Sequence, residues 1–169
     1  MDNVVNRMSN VYFNESVILL DLDAGCKEEV LEAMSRNLVD LKLVKESFPP
    51  AIIRREEEYA TGLPTAGVAV AIPHTDVEHV LRKTISVGVL KEAVEFGVMG
   101  DGEETIPVRI VFLLAMDEAH SQLSLLQQLM GVFQNEEILR LILEEKNKSG
   151  IRRLLEQKLA FDAIEGEKS

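Results

Sequence analysis

Two stretches of this chain, residues 67–72 and 106–115, are apolar almost throughout, and they constrain the fold more than any other feature. Successive side chains of a strand point to opposite faces, so an all-apolar strand must be covered on both sides. Gly67-Val68-Ala69-Val70-Ala71-Ile72 therefore reads as an interior strand. Ile106 to Ala115 reads as a long β-branched strand with Pro107 near its start. Thr84 to Leu90 reads as another, Ala93 to Phe96 as a short further strand, and Val17 to Leu22 as one near the N-terminus. Gly100-Asp101-Gly102 is turn chemistry.

Helical patterns flank these strands. Lys27 to Leu41 places Val30, Leu31, Met34, Leu38 and Leu41 on one face, with Gly25 ahead as a start signal. Ser47-Phe48-Pro49-Pro50 opens a second helix running to about Tyr59, with Ser47 as its cap and the prolines in its first turn. Leu123, Leu126, Leu129, Met130 and Phe133 mark a third helix, whose leucine stripe is expected to face the core. Asn135 can cap a helix carrying Ile138, Leu139, Leu141 and Ile142, and Ser149 to Leu159 makes the last one. The pattern predicts an α/β single-domain sandwich with a central mixed β-sheet covered by helices on both faces. Its domain is expected to span residues 10–160, between a flexible N-terminus (1–9) and a flexible C-terminal tail (161–169).

The remaining composition narrows the chemistry. A formal charge of −11 opposes nucleic acid and anionic membranes, and it favours a basic protein partner. A single cysteine, Cys26, allows no internal disulfide, and no apolar run reaches the roughly 20 residues that cross a bilayer. With no export signal pattern at the N-terminus, a cytoplasmic setting is expected. There is no GxxxxGK[ST] loop, no CxxC and no HExxH, so no ATP site, metal or cofactor is implied.

Ile72-Pro73-His74 closes the first apolar run. The proline has no N–H for a ladder, so pairing should end there and offer His74 at the sheet's edge. An imidazole with an ordinary pKa of about 6.5 suits proton or phosphoryl handling. From these residues alone, a turn histidine with no chemical task is an equal reading.

Arg55-Glu56, then Thr61-Gly62, then Ala71-Ile72-Pro73-His74 resembles the IIA components of the sugar phosphotransferase system, in the fructose–mannitol superfamily. The resemblance covers roughly residues 10–158. Thr61 precedes His74 by 13 positions (74 − 61 = 13), a longer loop than the fructose and mannitol members have. Together with His79, it makes the chain look like the galactitol-type branch.

The resemblance implies phosphoryl relay: a carrier protein, HPr, gives its phosphoryl group to His74, and this protein passes it to a IIB component. A IIC permease then moves the sugar, so the link to the membrane is indirect. The resemblance implies no cofactor, because the phosphoryl group arrives on a protein histidine. Arg55 is the expected donor to phosphoryl oxygens, since a guanidinium meets them in a forked geometry. A solvated helix arginine paired with Glu56 or Glu58 is the plainer alternative. Thr61 could bind the phosphoryl group through its hydroxyl or simply start the Thr-Gly turn.

Many superfamily members carry a second site histidine at the head of a His-Leu-x-x-Leu-x-x-Leu helix. Here Gln122 holds that register if Leu123, Leu126 and Leu129 are its leucines, while His120 lies two residues earlier. Either could complete the site. His79 reads more simply as an exposed histidine in a short helix, and Glu56, Glu57 and Glu58 as a solvated face. Two other functions remain open. One is a regulatory IIA-like module of the nitrogen type, signalling through phosphorylation of His74. The other, with the weakest spacing, is a metal hydrolase built on His74, His79, His120 and Asp76.

Overall fold

The computed structural model describes residues 11–159 apart from residue 66, leaving aside the side chains of residues 102 and 119–122. The two ends expected to be flexible lie outside the described residues. Five strands form one mixed sheet: β1 (Ile18–Leu22), β2 (Gly62–Leu63), β3 (Ala69–Ala71), β4 (Thr84–Val98) and β5 (Asp101–Ala115). Five helices accompany it: α1 (Lys27–Asp40), α2 (Phe48–Glu58), α3 (Ala119–Phe133), α4 (Glu136–Glu144) and α5 (Lys148–Lys158). Short 3₁₀ turns occupy Glu15–Val17 and Val77–His79.

The long hairpin β4–β5 is the spine. β1 runs parallel to the first half of β4, and β3 runs parallel to the second half of β5. β2 pairs antiparallel with β3 and meets Val98 at the far end of β4, so the ladder curls back on itself. Gly62 makes that closure possible: a Cβ there would lie 2.5 Å from the Gly97 carbonyl oxygen, far inside contact distance. The Met99 N–H donates to the Gly62 carbonyl at 2.8 Å and fastens the same junction.

The register shows how both faces are covered. Val87 lies opposite Phe112, and Gly88 opposite Val111. Opposed residues share a face and consecutive ones alternate. Gly88 faces α1, where a Cβ would sit 2.7 Å from the Met34 sulfur. Phe112 faces α3, its ring centroid 5.2 Å from that of Phe133. Helices α1 and α3 therefore lie on opposite sides of the sheet, as the all-apolar run of β5 requires. Each large apolar side chain fully withdrawn from water here contributes roughly 1.5–3 kcal/mol.

Several expectations needed correction. Thr84–Leu90 and Ala93–Phe96 are one strand: the charged break at Lys91-Glu92 falls in an irregularity between Val89 and Val94, where direct pairing with β5 lapses and then resumes at Val94. Leu123 is 56% exposed, and the buried stripe of α3 is instead Leu125, Leu129, Val132 and Phe133. Ser47 precedes α2, but its hydroxyl makes no cap hydrogen bond. Asn135 does cap α4, accepting from the Ile138 N–H at 3.2 Å.

At the edge of the sheet, Asp21 adopts a left-handed φ of 54°, and the β1–β4 register shifts between Leu19 and Leu22. A non-glycine residue held there costs on the order of 1 kcal/mol.

Candidate functional site

β3 carries the chain to Ile72-Pro73-His74, and two neighbours hold this strand end. On one side the Ile72 N–H donates to Thr61, at 3.1 Å to its hydroxyl and 3.4 Å to its carbonyl. On the other, the Leu114 N–H of β5 donates to the Pro73 carbonyl at 3.0 Å, and His74 bridges to Leu114. The missing proline N–H therefore does not end pairing outright. β3 itself ends at Ala71; beyond it Pro73 keeps its acceptor toward β5, and His74 adds an isolated bridge to Leu114.

His74 is half-buried, and its Nδ1 lies 3.0 Å from the Ile72 carbonyl oxygen. A carbonyl only accepts, so Nδ1 must carry the proton, and in the neutral ring Nε2 keeps its lone pair. Burial pushes the His74 pKa below its ordinary value, and the nearby charge of Arg55 pushes it the same way, against the carbonyl bond. The neutral ring therefore has Nε2 as its one free nitrogen.

Arg55 stands in the last turn of α2. Its Nη1 is 3.5 Å from Asp76 Oδ1, and its guanidinium stacks over Tyr59, 4.8 Å from the ring centroid. The Arg55 Nε is buried, with no hydrogen-bond partner among the described residues. The expected pairing with Glu56 or Glu58 is not what holds it; Asp76 and Tyr59 do. A small cleft beside it is lined by Ala51, Arg54, Arg55, Thr75, Asp76 and His79.

Glu56 is not part of a solvated face. It is 2% exposed, whereas Glu57 and Glu58 are exposed as expected. Its carboxylate accepts the Thr61 N–H at 2.8 Å and the Thr61 hydroxyl at 2.9 Å. Burial raises its pKa to about 7, although both Thr61 bonds and Lys27 pull it down. Thr61, 4% exposed, has its hydroxyl proton committed to Glu56 and so supports the strand rather than facing the imidazole. The signal that could have found Glu56 is its spacing: positions 48, 52 and 56 share a helix face, and Phe48 and Ile52 are both fully buried.

His79 is not simply exposed. Its side chain is 17% accessible, and its Nδ1 lies 2.8 Å from the Ser47 hydroxyl. Among the described residues, no three His, Cys, Asp or Glu side chains gather as a metal site. α3 begins shortly after Leu114, the residue that bridges His74, so the backbone of His120 and Gln122 leaves from this end of the sheet. Their side chains are outside the described residues. No helix among the described residues is long and apolar enough to cross a membrane.

The chain is 26% identical over 136 residues to the galactitol-specific EIIA component of the phosphotransferase system of Escherichia coli K12, covering 80% of this chain and 87% of that protein. Its fold matches the mannitol enzyme IIA of Escherichia coli, solved in complex with phosphorylated enzyme IIB. That match has a TM-score of 0.69 at 23% identity and covers 86% of this chain and 97% of that one. It also matches the nitrogen regulatory protein IIA-Ntr of Neisseria meningitidis, with a TM-score of 0.67 at 25% identity, covering 84% and 94%. The family described as phosphoenolpyruvate-dependent sugar phosphotransferase system, EIIA 2, matches residues 11–158, nearly all of the described chain, and the protein belongs to that family.

Proposed function

We propose that this protein is a cytoplasmic phosphoryl carrier that takes a phosphoryl group from phosphohistidine on HPr and hands it to a IIB component during uptake of a galactitol-like sugar. The observation that carries this reading is the Nδ1–H of His74 on the Ile72 carbonyl, which leaves Nε2 as the one lone pair. In the forward step that lone pair attacks phosphorus, the donor's N–P bond breaks, and the donor imidazole recovers its electron pair. The return step to IIB is the same exchange with the roles reversed, and it needs no cofactor.

Arg55 is the proposed clamp. Its weak hold on the exposed Asp76, at 3.5 Å, can be traded for shorter bonds to phosphoryl oxygens. The cost of transfer is then mainly positioning and charge stabilisation. His120 and Gln122 are proposed as alternative second donors from the first turn of α3. The partner assignment draws support from the mannitol relative solved with its phosphorylated IIB enzyme, and the sugar class from the galactitol-specific relative. The fold is shared with a nitrogen regulatory protein, and the likeness to the galactitol-specific relative supports transport over regulation.

The test is a mixture of enzyme I, HPr, phosphoenolpyruvate and this protein, read by intact mass under alkaline conditions. One added phosphoryl group that disappears in His74→Ala is expected. An unmodified wild type, beside a control IIA labelled in the same tube, overturns the proposal.

A further inference from the structure

Glu56 is a buried carboxyl that makes no contact with the reacting imidazole, and its placement is costly. A carboxyl moved from water into a protein interior loses several kcal/mol of solvation unless hydrogen bonds replace it. An apolar residue would continue the buried face formed by Phe48 and Ile52 without that cost. What Glu56 does instead is orient Thr61. It accepts both the N–H and the hydroxyl proton of that residue.

The consequence reaches His74 through a directed series of bonds. With its proton committed to Glu56, the Thr61 oxygen presents its lone pairs to the Ile72 N–H, 3.1 Å away. Pinning that N–H sets the peptide plane entering Ile72, and Pro73 behind it, with its own carbonyl held by the Leu114 N–H, restricts ψ of Ile72, so together they limit where the Ile72 carbonyl points. That carbonyl is the acceptor for His74 Nδ1 at 3.0 Å. A misaimed carbonyl would leave the imidazole free to move its proton to Nε2, and a ring protonated there has no lone pair on the attacking side.

We propose that Glu56 is a positioning residue for His74, holding the imidazole in its Nδ1–H tautomer through Thr61 and the Ile72 backbone. This deepens the phosphoryl-carrier reading and rests on it for its catalytic meaning, but the tautomer can be measured with no phosphoryl donor present.

The experiment is ¹⁵N imidazole NMR of His74 above pH 7, where the ring is neutral and the Glu56 carboxyl is ionised, followed by single-turnover phosphorylation from phospho-HPr. Wild type is expected to show a protonated Nδ1 and a bare Nε2. In Glu56→Gln one side of the amide turns a donor toward the Thr61 donors, and in Thr61→Val the hydroxyl is lost. Both are expected to move the ring toward a mixed tautomer and to slow the transfer rate at least tenfold, with the apparent affinity for phospho-HPr unchanged. Thr61→Ser, which keeps the hydroxyl, is expected to restore the wild-type spectrum that Thr61→Val loses. If Glu56→Gln does not fold, Thr61→Val against Thr61→Ser decides. A wild-type tautomer in folded Glu56→Gln or in Thr61→Val overturns the inference. A wild type with the expected tautomer but no phosphorylation leaves the positioning intact and overturns the carrier reading instead.

Discussion

His74 and His79 lie five residues apart, and each has its Nδ1 in a hydrogen bond, yet the two bonds do different things. His74 meets a backbone carbonyl, which can only accept, so its proton has one place to be. His79 meets the Ser47 hydroxyl, which can donate or accept, so either tautomer satisfies the contact. The carbonyl belongs to a strand end anchored on both sides, whereas the hydroxyl rotates about its own bond. A nucleophile needs the first arrangement. The second suffices to tie the Val77–His79 turn to the start of α2.

That contrast can be broken most sharply by deletion. His74→Ala is expected to abolish phosphorylation, while His79→Ala keeps the rate within about threefold, because only one of the two rings has a defined free nitrogen. Single-turnover labelling of both variants reads this directly, and equal losses would erase the distinction. Arg55→Ala comes next. Removing one charged donor from a phosphoryl site costs roughly 2–4 kcal/mol in the transition state, so a loss of about a hundredfold in transfer rate is expected. Arg55→Lys, lacking the forked geometry, should recover only part of it.

A third prediction concerns stability against pH. The Glu56 carboxyl holds its proton more tightly in the folded chain, up to about pH 7, than the usual carboxylate does. Lys27, Glu57 and Thr61 all bear on it, but burial dominates. Folded protein therefore binds more protons than unfolded protein between about pH 4.5 and 7, and this group's stability contribution is full below that window and lost as pH rises through it. The loss is on the order of 3 kcal/mol. His74 acts in the opposite sense, because its lowered pKa costs stability as pH falls below its ordinary titration range. Urea melts at pH 5 and 7 should show the Glu56 slope in wild type and a flatter profile in Glu56→Gln. An unchanged profile would mean that the carboxyl titrates normally.

The smallest effect is expected at Asp76, which is exposed and holds Arg55 only loosely. Asp76→Asn should speed phosphorylation a few-fold at low salt by freeing the guanidinium and removing a negative charge near the incoming group. A slower variant would instead make Asp76 a part of the clamp.

How much of this could be read beforehand differs from residue to residue. The position of His74 at a strand end was legible because an all-apolar run ending in Pro-His has few structural outcomes. The covered sheet was legible for the same reason. Glu56 was hidden by its neighbours: three consecutive glutamates look like a solvated face until the helix is rotated so that Phe48 and Ile52 point inward. The role of Thr61 was unreadable because its partners are at positions 56 and 72, and no local pattern pairs them. The continuity of β4 was missed because alternation fades where Lys91 and Glu92 leave the covered part of the sheet. Direct pairing with β5 also lapses there and resumes at Val94.

The bend at Asp21 interrupts β1, an edge strand of the sheet, with a left-handed residue and a shift in register. A neighbouring molecule seeking to add its own strand would find a few aligned amides and then a break. The roughly 1 kcal/mol held in that bend acts as colloidal insurance. It keeps the sheet of one molecule from continuing into that of the next.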